Sequence, residues 1–446
     1  MEKQNDLTQG SVTKQLLRYA LPLVASSLMQ SLYSIADMIA AGHFIGSAGQ
    51  SAITNSSQVI NLMTQIAIGI TVGGNVLISN LYGQQKDSER KKASGTLFSL
   101  SALLGALFFL GIFLSAKVAV SLLGAPAPTE SELYLRICSV GMVPVFLYNS
   151  VSTSMRAVGN SRQPMLCVAV GVSANIVLDI LFMALGFGVA GAAAATVISQ
   201  FISFFTVLAF ALPQRKFLGL SRACLKISGA KAAQIFRLGI PISLQQAIAA
   251  LSWLCVTFII NRYGVDVSAG NGISAKIKDF CQLVTIAVSN GAATMIAQCL
   301  GAGMYDRAKK IMYTAMKVTL SYACAVIAVV ELAAPHLVLL FTESPQTAAA
   351  AVENLRIEIL GQIFYAIFLV YHSLAIGAGH TYYATFSSFV NCIAARVVLA
   401  SVFNRFFGIT GVYWALMLAT STSVILGFFY VRSGIWEKAA RKNNDC

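Results

Sequence analysis

The chain has 446 residues, of which 57% are hydrophobic and 11% charged, with a formal net charge of +14. Soluble domains carry roughly 25% charged residues, so this much apolar surface cannot be hidden in an aqueous core and belongs in a bilayer. The position of the positive charge excludes nucleic acid as its cause: 23 of the 31 Lys and Arg lie in the two tails and in every other loop.

Twelve stretches reach the roughly 20 apolar residues that span hydrocarbon as a helix, centred near residues 28, 65, 105, 145, 175, 200, 250, 285, 323, 366, 393 and 420. Richness in Ala, Leu and Gly, without short alternating segments, favours helices over a β-barrel. The first predicted helix follows Lys3, Lys14 and Arg18 and carries Pro22, Tyr33 and Asp37. A basic loop around Arg90-Lys91-Lys92 precedes the third. Pro144 interrupts the fourth, where a kink is expected. The fifth holds Asn175 and Asp179, and the small-residue run from Gly186 to Ala195, suited to close helix approach, leads to Thr196 in the sixth.

After the polar stretch from Pro213 to Lys231 the pattern starts again. Arg18-Tyr19-Ala20-Leu21-Pro22 matches Arg237-Leu238-Gly239-Ile240-Pro241, Leu135-Arg136-Ile137 matches Leu355-Arg356-Ile357, and Ala157-Val158-Gly159 matches Gly377-Ala378-Gly379. The chain therefore reads as all-α and polytopic, with twelve transmembrane helices in two six-helix repeats. Six is even, so both repeats enter the membrane the same way and are parallel. The expected division is a lobe over residues 1–212, a linker over 213–231 and a second lobe over 232–446 with a short tail. Lys117, Arg262, Lys276, Lys278, Arg356 and Arg405 fall in the opposite loops, and Arg136 and Arg396 within spans. The positive-inside rule then puts both termini and the central linker in the cytoplasm.

No Gly-Lys dipeptide exists, hence no nucleotide-binding loop, and the nine cysteines are scattered with no disulfide or zinc spacing. An enzyme is not expected, nor a cofactor. A two-lobed transporter with its substrate between the repeats needs an ion gradient, and one cation crossing about 150 mV supplies roughly 3.5 kcal/mol.

A coupling ion needs a carboxylate, and charge at the bilayer centre costs about 2.5 to 3.5 kcal/mol, which singles out Asp37 and Asp179. Asn175 lies four residues before Asp179, on the same helix face. At about 1.5 Å per residue, Arg18 to Asp37 is roughly 28 Å, Arg162 to Asp179 roughly 26 Å and Arg215 back to Thr196 roughly 28 Å, so the side chains fall in one layer. Two carboxylates, an amide and a hydroxyl suit a sodium ion or a proton, titrating as a unit. The plainer alternative is that the acids line water or cap backbone. Tyr33 and Tyr365 could stack on flat cations. Arg396 could pair with Glu358, contact an anionic substrate group, or snorkel. Glu331 and Glu358 read as interfacial, His43 and His380 as solvated loop residues. Pro22 and Pro241 read either as hinges or as helix starts.

The stretches Ala20-Leu21-Pro22-Leu23, Gln30-Ser31-Leu32-Tyr33-Ser34-Ile35-Ala36-Asp37, Arg156-Ala157-Val158-Gly159-Asn160-Ser161-Arg162-Gln163-Pro164-Met165, Asn175-Ile176-Val177-Leu178-Asp179 and Gly188-Val189-Ala190-Gly191 through Thr196 resemble the multidrug and toxic compound extrusion (MATE) family. The likeness covers nearly the whole chain. It implies two six-helix lobes, alternating access, and export of bulky organic cations in exchange for Na+ or H+. The DinF-like branch is the most similar. That branch's ion site implies roles for Asp37, Asn175, Asp179 and Thr196. Acids that other members use on helices 7 and 10 are missing from Gln245-Gln246-Ala247-Ile248-Ala249 and Phe364-Tyr365-Ala366. In the internal repeat Asp37 maps to Val256, Asn175 to Ala395 and Asp179 to Leu399, which confines the expected ion site to the N-terminal lobe.

The expected function is thus an ion-coupled exporter of organic cations, monomeric, in contact with membrane lipids and seated in a bacterial inner membrane. The alternative is a flippase for lipid-linked saccharides, to which Arg136 and Arg396 would lend a cationic groove.

Overall fold

A computed structural model describes residues 6–123, 127–221 and 223–438. Among them every regular element is a helix: α1 (Val12–Phe44), α2 (Gly46–Gly83), α3 (Asp87–Leu123), α4 (Pro128–Val140), α5 (Met142–Ala157), α6 (Arg162–Ala184), α7 (Gly188–Ala211), the single turn α8 (Arg215–Leu218), α9 (Gly229–Asn261), α10 (Val265–Gly301), α11 (Tyr305–Leu339), α12 (Pro345–Leu360), α13 (Gln362–Gly377), α14 (Thr381–Phe389) and α15 (Val398–Ser433). A π-helical segment, Val390–Val397, joins the last two.

Nine described segments are long and apolar enough to span a bilayer, and α12 with α13, bent by 44°, form a tenth. The segment Thr381–Ser433 has 53 residues. At about 1.5 Å each it is far too long for one crossing of about 30 Å. Gly408, with φ 61° and ψ −145°, breaks it into two. Together with α1, 33 residues long, this makes the twelve spans of the sequence reading. Outward-facing leucines such as Leu114 and Leu332, 76% and 83% exposed, have a natural partner in lipid tails.

The fourth and tenth spans break alike. Gly141 separates α4 from α5 and Gly361 separates α12 from α13. Pro144 follows the first break by three residues, within the opening turn of α5. Pro22 and Pro241 lie inside α1 and α9, not at their starts.

The chain forms two compact units whose limits differ from the lobes expected at 1–212 and 232–446. The N-terminal unit contains Ala25–Ser243, and the C-terminal unit contains Leu7–Val24 and everything from Leu244 on. The first part of α1 packs in the C-terminal unit, where Leu16, Tyr19 and Ala20 meet Val288, Ala292 and Met295 of α10. The first part of α9 packs in the N-terminal unit, where Ile235 joins Ile70, Ile78 and Leu97. Each exchange falls two residues after the helix proline, Pro22 or Pro241. Hydropathy identifies spans but says nothing of their partners, so the exchange is invisible in the sequence.

The same crossing is built twice. In the N-terminal unit, a Cβ on Gly73 would stand 2.5 Å from the Gly239 backbone nitrogen. In the C-terminal unit the repeat-related Gly291 is looser, with the Tyr19 ring at 3.2 Å and the Ala20 Cβ at 3.7 Å. The stretch expected as a linker is anchored to α3. Ser99 Oγ donates to the Leu225 carbonyl at 2.6 Å, the Ser228 amide to Thr96 Oγ1 at 3.2 Å, and Lys231 meets Glu89 at 3.0 Å.

Candidate ion and substrate sites

In the N-terminal unit, α1, α6 and α7 bring the predicted residues together. Asn175 and Asp179, one turn apart on α6, are 3% and 2% exposed. They do share a face, and it points inward. Asp37 is half-buried on α1 and interacts electrostatically with Asp179. Tyr33, one turn before Asp37, lies beside the Thr196 side chain and in the field of both acids. Thr196 donates its hydroxyl to the Ala192 carbonyl at 3.0 Å, leaving its lone pairs for another group.

Both carboxylate oxygens of Asp179 and Nδ2 of Asn175 are buried without a hydrogen-bond partner among the described residues. A buried polar group in this state costs about 1 to 3 kcal/mol, more if charged. Asp37 lies within electrostatic reach of this carboxylate, and a cation bound at Asp179 would relieve the repulsion between the two acids. The available ligand atoms are all oxygens, the Asn175 amide contributing Oδ1, which suits a hard monovalent ion or a proton. Among the described residues no three of His, Cys, Asp and Glu converge, so a multi-carboxylate or zinc-type centre is absent there.

Three further residues belong to this region. Tyr134 and Cys138 on α4 lie in the electrostatic environment of Tyr33 and the acids, and the Tyr134 hydroxyl is 3.4 Å from Ser57 Oγ. Gln200, one turn after Thr196, presents a buried, unpartnered Oε1 near the Gly141 break. Nothing in the sequence distinguishes these from packing residues, apart from the i, i+4 step from Thr196 to Gln200.

The C-terminal unit holds a cavity of about 310 Å³ lined by Trp253, Lys278, Asp279, Glu358, Tyr365 and Arg396, with Gln282 and Gln362 among the rest. Tyr365 and Arg396 therefore share one site, whereas Tyr33 belongs to the N-terminal unit. Lys276 and Lys278 are not in a loop but inside α10. Glu358 is not interfacial: it is 7% exposed and forms an ion pair with Lys278. Arg396 does not pair with Glu358, which Lys278 already neutralises. Glu331 is half-buried and meets Arg356 at 3.7 Å. Arg136 is bound to Glu132 at 2.7 Å and lies over the Phe113 ring. His380 is not simply solvated, since its Nδ1 lies 2.7 Å from the Tyr430 hydroxyl. The side chain of His43 lies outside the described residues. Overlooked in the sequence, His372 on α13 is buried against Phe368, and among the described residues neither ring nitrogen is hydrogen-bonded.

Twelve spanning helices in a duplicated arrangement, with an unsatisfied acid inside one unit and a charged cavity inside the other, are the architecture of a membrane transporter. The MatE family model matches residues 22–181 and again 241–402, once in each repeat. The chain belongs to this family of multidrug and toxic compound extrusion transporters. It is 25% identical over 445 residues to the probable multidrug resistance protein YoeA of Bacillus subtilis, covering 97% of this chain and 96% of the relative. It is 26% identical over 432 residues to the multidrug export protein MepA of Staphylococcus haemolyticus, covering 95% and 94%. Among solved structures, a MOP superfamily transporter from Pyrococcus furiosus superimposes with a TM-score of 0.93 at 21% identity, covering 99% of both chains.

Proposed function

We propose that this protein is a multidrug exporter that drives bulky organic cations outward by alternating access, in exchange for Na+ or H+ taken up at Asp37, Asn175, Asp179 and Thr196. The observation that carries the coupling is the buried, unpartnered Asp179 carboxylate beside Asp37. Such a pair is tolerable with a cation or proton bound and unfavourable without one. Ion and drug, each stabilising the state that disfavours the other, are then linked reciprocally. The multidrug names of the relatives support the cargo class. Tyr33 contributes an aromatic face for a flat cation. The reading includes a monomer in a bacterial cytoplasmic membrane, in contact with lipid and with both termini inside. No cofactor takes part beyond the coupling ion.

The flippase alternative calls for a cationic groove. Arg136, with its carboxylate partner Glu132 at 2.7 Å, offers it little.

Ethidium efflux from an efflux-deficient bacterium tests the proposal, using wild type, Asp37→Asn and Asp179→Asn at matched protein levels, with and without sodium. Efflux by wild type that is lost in both variants is expected. Wild-type efflux that survives both substitutions overturns the assigned ion site, and absence of wild-type efflux overturns the cargo.

A further inference from the structure

The cavity in the C-terminal unit carries a charge pattern that the coupling-ion site does not explain. Four Lys, Arg, Asp and Glu side chains line it, two of each sign. Lys278 and Glu358 neutralise each other in a buried ion pair, and the Lys278 ammonium also sits 4.8 Å from the Trp253 ring. Arg396 and Asp279 remain. Among the described residues neither makes a hydrogen bond or an ion pair within 4 Å, although Asp279 lies in the field of Lys276 and Lys278. Both act electrostatically on Tyr365, whose ring joins Trp253 in the wall.

The backbone presents Arg396 in an unusual way. Its span is the repeat of α6, a regular helix in which Asn175 and Asp179 face inward. In the C-terminal unit the corresponding stretch, Val390–Val397, is π-helical. A π turn takes in an extra residue and re-aims the side chains after it, a device often found at functional sites. Ser252 Oγ donates to the Cys392 carbonyl within the widened segment, satisfying backbone there. The repeat-related residue of Arg396 is Ile176, so the guanidinium replaces an apolar side chain.

We propose that this cavity is a subsite for a zwitterionic organic solute with an aromatic body, its carboxylate held by the Arg396 guanidinium and its ammonium by Asp279, with Trp253 and Tyr365 against the ring. The planar, multidonor guanidinium suits a carboxylate, and a cavity of about 310 Å³ lies at the small end of ligand sites. The assignment rests on the transporter reading and widens its cargo from cations to solutes carrying both charges.

The test is calorimetric titration of the purified full-length protein with three probes that share one ring: L-phenylalanine (zwitterion), phenethylamine (cation) and 3-phenylpropanoate (anion). Wild type should bind phenylalanine most tightly. Arg396→Gln should weaken phenylalanine and phenylpropanoate about tenfold and leave phenethylamine unchanged. Asp279→Asn should weaken phenylalanine and phenethylamine and leave phenylpropanoate unchanged. Arg396→Lys, which keeps the charge in the fold, should fall between wild type and Arg396→Gln for the two carboxylates. Absence of phenylalanine binding to wild type, or binding that ignores both Arg396→Gln and Asp279→Asn, overturns the proposal. Binding of the cation alone overturns it equally. Ethidium efflux by the same wild-type protein separates the two failures, since an exporter that ignores phenylalanine keeps the transporter reading and loses only this subsite.

Discussion

The two units are built from the same repeat, yet their buried charges are handled in opposite ways. In the N-terminal unit a carboxylate on a regular helix is left without a partner, beside a second acid. In the C-terminal unit the buried Glu358 has its own lysine, and the helix corresponding to α6 is widened into a π segment that carries an arginine. An uncompensated acid is a site waiting for a cation, whereas a compensated acid is part of the scaffold. Duplication has thus kept the helices, the glycine breaks at Gly141 and Gly361 and the proline-marked exchanges, while the chemistry inside has diverged.

The sharpest way to break this contrast is to remove one acid from each unit and read both transport and stability. Asp179→Asn should reduce drug efflux to the background of an empty vector while the protein unfolds at about the same temperature, because the carboxylate has no hydrogen-bond partner among the described residues to lose. Glu358→Gln should do the reverse to stability. It strands the Lys278 ammonium and should cost about 3 to 5 kcal/mol, with a clear fall in thermal unfolding temperature. The double change Lys278→Met with Glu358→Leu should recover most of that loss, as replacement of a buried ion pair by apolar residues of similar volume often does. Equal destabilisation by Asp179→Asn and Glu358→Gln would erase the distinction between site and scaffold.

The paired glycine crossings give a smaller effect of the same form. Gly73→Ala drives a methyl group into the Gly239 backbone, which cannot move as a side chain can, and should destabilise by about 1 to 3 kcal/mol. Gly291→Ala meets side-chain atoms, the Tyr19 ring at 3.2 Å and the Ala20 Cβ at 3.7 Å, and should cost clearly less in the same unfolding assay.

The smallest expected effect is pH-dependent and lies in the turn after α13. Burial holds His380 below the ordinary histidine range. The unfolded chain therefore takes up a proton near pH 6.5 that the folded protein refuses. Stability should be at its full value above that pH and fall as the pH drops through it, and His380→Gln should flatten this part of the curve. Tyr430→Phe, which removes the hydroxyl 2.7 Å from the ring nitrogen, should cost about 1 kcal/mol at neutral pH.

Much of the architecture is legible in residue order alone. The i, i+4 step from Asn175 to Asp179 and the depth count from basic flanks place Asp37, Asp179 and Thr196 in one layer, and the structure groups the same side chains with Tyr33. What escapes the sequence is partnership at long range. The Lys278–Glu358 pair joins residues 80 positions apart, and Tyr134 and Cys138 look like any aromatic and any thiol within a span. The exchange of helix ends leaves hydropathy unchanged. The π segment around Arg396 contains no glycine or proline to mark it, and the Ser252 contact that accompanies it comes from 140 residues away.

The central claim is that the orphaned acid of the N-terminal unit couples ion to drug. Reconstituted protein in vesicles loaded with ethidium measures this directly, by following sodium and proton uptake as the drug leaves. The account predicts ion uptake that requires ethidium in wild type and is absent in Asp179→Asn, while the double change Lys278→Met with Glu358→Leu still exchanges. Coupled exchange at the wild-type rate in Asp179→Asn would contradict it.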